Sequence, residues 1–262
     1  MTLAHYLGHD DVWAIIQRST SSASELLFSY TDGLAFKQHG YFSVHPGALR
    51  LHFYIDEVKL CNPIGSAKKK HNITTVYHQV GNVEQKYLSL LTSIHVAIIV
   101  KTCHLKKYGF LAVAQQLIND LQLLENSGMK ITANGQSTEV FGSVATVSSD
   151  NLGSHDFGGF RCCFSSGRIC RFCMASYDQL SHFTSESDEQ YPKHHTADEH
   201  KKHVTAVLGD SRLCSVYDVQ KLSNFSALES FDVYKYCIHV PFTIGWISVP
   251  IRCLAIPGTH ID

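Results

Sequence analysis

The sequence predicts an α/β fold in which a mixed sheet is flanked by helices, and three features of the chain indicate it. The stretch LRLHFYID (49–56) alternates apolar and polar residues, which is typical of a strand with one buried face. Residues 93–101 are almost wholly apolar, as expected for a strand that is buried on both faces. Apolar positions in 108–126 recur at steps of three and four, which predicts an amphipathic helix.

The remaining elements complete the expected order along the chain. A second strand is expected within 71–81, and Asn134-Gly135 predicts the tip of a hairpin that leads into a further strand ending at Asp150. The predicted divisions are an N-terminal extension that is helical or irregular, a core, a cysteine- and histidine-rich insert that binds zinc, and an irregular apolar tail. Their bounds are 1–44, 45–155, 156–210 and 211–262.

Acidic residues end the first and the fourth strand of the predicted core. Three consecutive strands, a helix and a fourth strand, with Asp56 and Asp150 at the two strand ends, form the arrangement of the ribonuclease-H-like fold. If the two strands lie side by side, both carboxylates face one gap where Mg²⁺ could bind, since this ion prefers carboxylate oxygens. The alternative is that both are ordinary turn residues, because Asp bonds its own backbone readily in turns.

Three stretches of the chain resemble the transposase-like proteins of cut-and-paste DNA elements, distantly similar to CACTA-type transposases. They are LHFYIDEVKLCNPIGS, KKKHNITTVYHQVGNVEQKY, and SSDNLGSHDFGGF with CRFC after it, within a resemblance covering about 30–231. The resemblance implies metal-dependent phosphoryl transfer on DNA, with Asp56 upstream of an Asn-Pro-x-Gly turn and Asp150 opening an Asp-Asn-Leu-Gly-x-His turn. Both residues are therefore the predicted catalytic and Mg²⁺-binding acids.

The resemblance also implies a third acid on a helix after the cysteine-rich insert. The segment that follows residue 231 is instead an apolar run with three prolines, which predicts neither that helix nor a membrane span. We therefore expect an incomplete catalytic set and loss of the ancestral cleavage activity. The alternatives are a non-catalytic, zinc-stabilised protein that binds nucleic acid or acts as a scaffold, and a gene fragment with no function of its own.

A zinc site is predicted in the insert, because Cys170-x-x-Cys173 has the spacing of half a structural site. The preferred ligand set adds two histidines from a His-x-x-His pair about 26 residues further on, with Cys163 and His195 as substitutes. The preferred ligands are Cys170, Cys173, His200 and His203. The alternative is that these are free core cysteines and solvated histidines.

Composition limits the remaining functional classes. A net charge of −1 and a pI near 7 give no global attraction to nucleic acid, so DNA is expected as a partner by resemblance alone. His9, Asp10 and Asp11 interrupt the region where a signal peptide would need an apolar stretch. We expect a nuclear or cytoplasmic protein that is not secreted, does not enter a membrane, and could form a homo-oligomer.

Overall fold

The computed structural model describes most of the chain, and every structural statement below concerns those residues. They are 2–18, 29–60, 72–165, 167–173, 175–179, 195–223 and 225–239. The expected Asn-Pro-x-Gly turn at 62–65 and the proline-containing part of the predicted tail lie outside them.

Seven strands lie within the described residues. They are β1 (Leu49–Lys59), β2 (Asn72–Val80), β3 (His95–Lys101), β4 (Met129–Ala133), β5 (Gln136–Val140), β6 (Gly142–Ser149) and β7 (Cys237–His239). Five of them form a mixed sheet in the order β3-β2-β1-β6-β7, and β4 pairs with β5 as a separate hairpin. Within the sheet, β2 is antiparallel to both β1 and β3, whereas β6 is parallel to both β1 and β7.

Ten α-helices lie within the described residues, and several of them flank this sheet. They are α1 (Leu3–Leu7), α2 (Asp10–Arg18), α3 (Leu34–Lys37), α4 (Gln85–Leu88), α5 (Thr102–Tyr108), α6 (Phe110–Asn126), α7 (Asn151–Gly158), α8 (Ala197–Gly209), α9 (Cys214–Tyr217) and α10 (Val233–Tyr236). The predicted α/β class with a mixed sheet and flanking helices is confirmed. None of these helices is long and apolar enough to cross a membrane.

The main core fills one face of the sheet. Leu49, Leu51, Phe53 and Ile55 of β1 are all at most 2% exposed, because alternate residues of a strand share one face. They pack in one apolar cluster with the buried stripe of α6 and with side chains from α1 and α2. Burying a side chain of this size contributes about 1.5 to 3 kcal/mol, so this face contributes strongly to the stability of the sheet.

The opposite face of the sheet is covered at one end by residues 29–48. Tyr30 and Phe42 are buried there against Ala145 of β6, and the Tyr30 hydroxyl donates to the Ala145 carbonyl at 3.3 Å. His39 is fully buried and its Nε2 lies 3.3 Å from the Val144 carbonyl. The predicted N-terminal extension is therefore part of the packed structure.

Four elements differ from the prediction. The apolar run at 93–101, expected to be buried on both faces, forms β3 at the edge of the sheet, where Val96 and Ile99 are exposed. β1 continues beyond Asp56 to Lys59, because β2 stays paired with it over that stretch. The predicted helix 108–126 corresponds to α6, but α5 precedes it and Gly109, with a φ of +81°, separates the two. The turn expected at Asp150 is the start of α7.

The segment predicted as an irregular tail contributes to the fold in its described part. Residues 225–236 place Phe225, Leu228, Phe231 and Tyr236 in the main core. β7 then adds the fifth strand of the sheet, beside β6. The sheet therefore extends beyond the predicted core of 45–155.

Candidate functional site

The register of β1 and β6 brings Asp56 and Asp150 level with each other. In this parallel pair Tyr54 lies opposite Ser148, and each acid follows two residues later on its own chain. Alternate residues of a strand share a face, and neighbouring strands are about 4.8 Å apart. The two acids are therefore level with each other in the sheet, with Asp150 directly after the last residue of β6 and Asp56 within the final part of β1.

The electrostatics of the site indicate the same proximity. The pKa of Asp56 is raised mainly by burial, and the negative charge of Asp150 raises it further. Burial also raises the pKa of Tyr54, and the charges of Asp56 and Asp150 add to that effect. The two carboxylates and the phenol thus share one electrostatic environment.

Asp150 is held by its role as the N-cap of α7. Its Oδ1 accepts a hydrogen bond from the Gly153 backbone N–H at 2.6 Å, which is the usual interaction of an N-cap carboxylate. A Cβ on Gly153 would lie 2.0 Å from the Ser149 Oγ and 2.8 Å from this Oδ1. Glycine at this position therefore allows the helix to begin directly beside the acid.

We call the sheet surface that carries His52, Tyr54 and Asp56 the acid face. Thr75 and Tyr77 of β2 are the register partners of Asp56 and Tyr54, so their side chains project from the same face. Asp56 is exposed and Tyr54 is half-buried, whereas Thr75 is buried. The acid face therefore presents an aromatic row next to the carboxylates.

Two neighbouring acids are engaged elsewhere. Glu57 accepts a hydrogen bond from the Asn72 side chain at 2.5 Å. Asp156 forms an ion pair with Lys221 at 2.7 Å. These contacts support the choice of Asp56 and Asp150 over Glu57 and Asp156 as the candidate site residues.

Two further polar residues of the acid face, the half-buried His52 and the buried Arg50, were missed in the sequence. The His52 Nδ1 lies 2.8 Å from the Thr146 hydroxyl, and burial together with the Arg50 charge lowers the pKa of His52 to about 3. Arg50 is also buried, which lowers its pKa to about 10. The alternation in 49–56 places both on the polar side of β1, which is the signal that could have identified them.

The site at Asp56 and Asp150 offers few ligand atoms for a metal ion. Carboxylate oxygens suit Mg²⁺ chemically. Within the described ranges, however, no group of three or more His, Cys, Asp or Glu side chains is arranged to hold a metal ion. Asp56 and Asp150 therefore provide two of the ligands that a magnesium site would need.

The second predicted site begins at residues 170–173, which we call the Cys turn. The two thiols hydrogen-bond each other, and this bond is the main reason that the pKa of Cys170 is lowered to about 6. The Phe172 carbonyl accepts hydrogen bonds from the His195 backbone N–H at 2.9 Å and from the Tyr234 hydroxyl at 2.8 Å. The Cys turn is thus fixed by the start of the α8 segment and by α10.

The histidines near the Cys turn form a compact cluster. His195 Nε2 lies 3.2 Å from His203 Nδ1, and the His203 ring stacks on Tyr217 at a centroid distance of 4.3 Å. His200 is buried, with its ring 5.0 Å from that of Phe160, and burial lowers its pKa to about 4. The structure therefore brings His195 to both the Cys turn and His203.

The four preferred zinc ligands do not come together as expected. The described residues hold no metal-binding group of three or more side chains, so Cys170, Cys173, His200 and His203 are not arranged around one ion. His195, predicted as a substitute ligand, contacts the Cys turn through its backbone. Zinc binding by these residues stays a prediction.

Asp218 is a buried acid that the sequence did not identify. Its side chain is 4% exposed, its φ is +57°, and among the described residues neither carboxylate oxygen accepts a hydrogen bond. His155 Nδ1 lies 4.0 Å from the Asp218 Oδ2. Burial raises the pKa of Asp218 to about 7, against an opposing effect from the positive charge of Arg161.

A contact of Arg171 joins the two predicted sites. Arg171, in the middle of the Cys turn, is 2% exposed and donates from Nη1 to the Asn151 side chain at 3.2 Å. Asn151 directly follows Asp150 and is the first residue of α7. The Cys turn is therefore hydrogen-bonded to the first residue of the helix that Asp150 caps.

Comparison with known proteins does not assign the chain to a family. The sequence matches no known protein family and no curated protein.

Proposed function

We propose that this chain is a transposase-derived protein with a ribonuclease-H-like core, whose ancestral activity was metal-dependent phosphoryl transfer on DNA. The observation that carries the proposal is the strand order β3-β2-β1-β6-β7, with Asp56 and Asp150 level just beyond the paired residues of the central parallel strands β1 and β6. This order gives three antiparallel strands followed by two parallel ones, as the ribonuclease-H-like arrangement requires. The motif resemblance supports the same assignment.

The chemistry proposed for the ancestral site depends on divalent cations. When bound, two such ions activate the attacking oxygen and stabilise the leaving oxygen of a phosphodiester. In this chain Asp56 and Asp150 would hold Mg²⁺, and Tyr54 lies beside both. Two carboxylates compensate the repulsion between two close dications less well than three do. We therefore propose that cleavage has been lost.

The second candidate function is a non-catalytic, zinc-stabilised protein that binds nucleic acid or serves as a scaffold. It is favoured by the packing at the Cys turn, because His195 contacts the turn through its backbone and its ring lies 3.2 Å from that of His203. Thiolate sulfur and imidazole nitrogen are the donors that zinc prefers, so the chemistry of the donor set suits the ion.

The test is a nicking and strand-transfer assay on supercoiled plasmid with Mg²⁺ or Mn²⁺. We expect no metal-dependent cleavage by the protein or by Asp150→Ala. Asp156→Ala is the matched control, because Asp156 is the exposed acid on the same helix. Cleavage that persists in the control but disappears in Asp150→Ala would show that the site is active and that loss of cleavage is the wrong proposal.

A separate binding assay tests the DNA assignment itself. Fluorescence anisotropy with labelled duplex and single-stranded DNA should show Mg²⁺-dependent affinity that falls in Asp56→Asn and Asp150→Asn. Equal affinity in the protein, both variants and Glu57→Gln would remove the support for a nucleic-acid function of the acid face and would favour the scaffold alternative.

A further inference from the structure

The strand β3 forms one edge of the five-stranded sheet. Within the described residues it pairs with β2 alone, so its outer side presents backbone N–H and C=O groups without a strand partner. Such an edge is a template for pairing with another extended segment. The opposite edge of the sheet is β7, which is only three residues long.

The β3 edge carries large apolar side chains that face solvent. Val96 is 51% exposed and Ile99 is 64% exposed, while Leu91, just before the strand, is 86% exposed. The partners of Val96 and Ile99 on β2 are Tyr77 and Thr75, so both side chains lie on the acid face. Clustered exposed apolar residues of this kind mark interaction surfaces more often than isolated ones do.

Proteins usually protect such edges with proline, inward-pointing charges, bulges or very short strands. β3 has seven residues and no proline, and its single charged residue at neutral pH is Lys101 at the very end. A register shift against β2 between Val76 and Tyr77 is the one protective feature of this pair. The edge is therefore poorly protected against pairing.

We propose that β3 pairs antiparallel with β3 of a second copy of this chain, which joins two sheets into one. A second copy supplies an identical free edge and identical apolar side chains. One contact therefore pairs the two strand edges and covers the apolar side chains of both copies. Antiparallel pairing places the two Lys101 side chains at opposite ends of the strand pair, whereas parallel pairing would set like charges together. A net charge of −1 leaves little long-range repulsion between copies.

This arrangement has a geometric consequence for the acid face. Pairing of the same edge about a twofold axis keeps both acid faces on one side of the joined sheet. Five strand spacings of about 4.8 Å then separate the two β1 strands, which puts the Asp56 residues about 24 Å apart. The dimer would present two carboxylate sites to one side.

Sedimentation velocity over a range of about 1 to 100 μM tests the proposal, because small interfaces give weak, concentration-dependent association. The protein should shift from monomer to dimer with concentration. Ile99→Lys and, independently, Val96→Lys should weaken dimerisation by about tenfold or more, since a charge opposes burial at the strand edge. Leu208→Lys, at a side chain 65% exposed on α8, is the matched control and should still form dimers.

Circular dichroism and thermal unfolding of each variant establish that the fold is retained. A protein that stays monomeric over the whole range would overturn the proposal. The proposal would also be overturned if Ile99→Lys and Val96→Lys both fold and both dimerise as well as the unaltered chain, because the dimer contact would then lie elsewhere.

Discussion

The acid face and the Cys/His region, which we define as residues 160–219, build their candidate sites in different ways. In the acid face, the hydrogen-bond register of two parallel strands fixes which residues are level. In the Cys/His region, a small separate cluster of Phe160, Val204, Val207 and Val219 supports side chains held by individual contacts. The register of paired strands determines which residues lie side by side even when they are far apart in sequence. Individual side-chain contacts define the positions of neighbouring residues less strictly.

Buried charge separates the two regions further. On the acid face the candidate carboxylates reach solvent and the half-buried His52 has a hydroxyl partner, although among the described residues the Nε of the buried Arg50 has no hydrogen-bond partner. In the Cys/His region the buried Asp218 lacks hydrogen-bond donors among the described residues. An unsatisfied buried carboxylate is costly, so this region is expected to be the less stable of the two.

The largest expected effect concerns the dependence of the Cys/His region on zinc. If the predicted site forms, the purified protein contains about one zinc per chain, and Cys170→Ser removes it. Hydrogen exchange should then increase in α8 while the strands of the sheet stay protected, because a structural ion supplies local folding energy. Cys103→Ser is the matched control, since Cys103 is an exposed free cysteine on α5. Zinc near zero in the unaltered protein would remove the zinc prediction.

The next effect comes from Asp218, whose pKa of about 7 is far above that of an ordinary aspartate. The folded state therefore binds this proton more tightly than the unfolded state, and the stability contributed by the group falls as pH rises from about 4 to about 7. Asp218→Asn should raise the free energy of unfolding at pH 8 by roughly 1 to 3 kcal/mol and flatten its pH dependence.

Denaturant unfolding at pH 5 and pH 8 measures this difference. Asp156→Asn is the control, because Asp156 is half exposed and already paired with Lys221. If Asp218→Asn were equally destabilising at both pH values, the carboxylate would be a stabilising partner of an unrecognised group.

A smaller effect is expected at the N-cap of α7. Asp150→Ala removes the acceptor of the Gly153 N–H and should cost about 1 kcal/mol, whereas Asp150→Asn keeps a good N-cap and should cost little. Thermal unfolding of the two variants checks this order. Equal losses in both would mean that the charge, not the cap, stabilises the helix start.

The sheet could be predicted well from the sequence, because period and turn residues identify its elements. Alternation identified β1, and Asn134-Gly135 adopts the positive φ values of the expected hairpin turn. The apolar run correctly indicated a strand at β3, but it wrongly indicated burial on both faces, because β3 is an edge strand. The expectation that Asp56 and Asp150 lie near each other came from assigning both to strand ends. In the structure β1 continues to Lys59, so the Tyr54–Ser148 register, and not a shared strand end, makes the two acids level.

The remaining features depend on contacts between segments far apart in the chain. Within the described residues β7 pairs over three positions, and a stretch of that length gives no periodic signal. Asp218 is buried by the packing of residues around it, and nothing in its local sequence indicates that burial. The choice among histidines near the Cys turn depends likewise on how α8 packs, which spacing alone does not determine.

The central claim is that the register of β1 and β6 brings the carboxylates of Asp56 and Asp150 into one electrostatic environment. NMR titration of the Asp56 side-chain carboxyl carbon in the protein and in Asp150→Asn tests it most directly. Because the Asp150 charge raises the pKa of Asp56, its removal should lower that pKa, while Glu139→Gln on the separate hairpin should leave it unchanged. An Asp56 pKa that is the same with and without the Asp150 charge would contradict the claim.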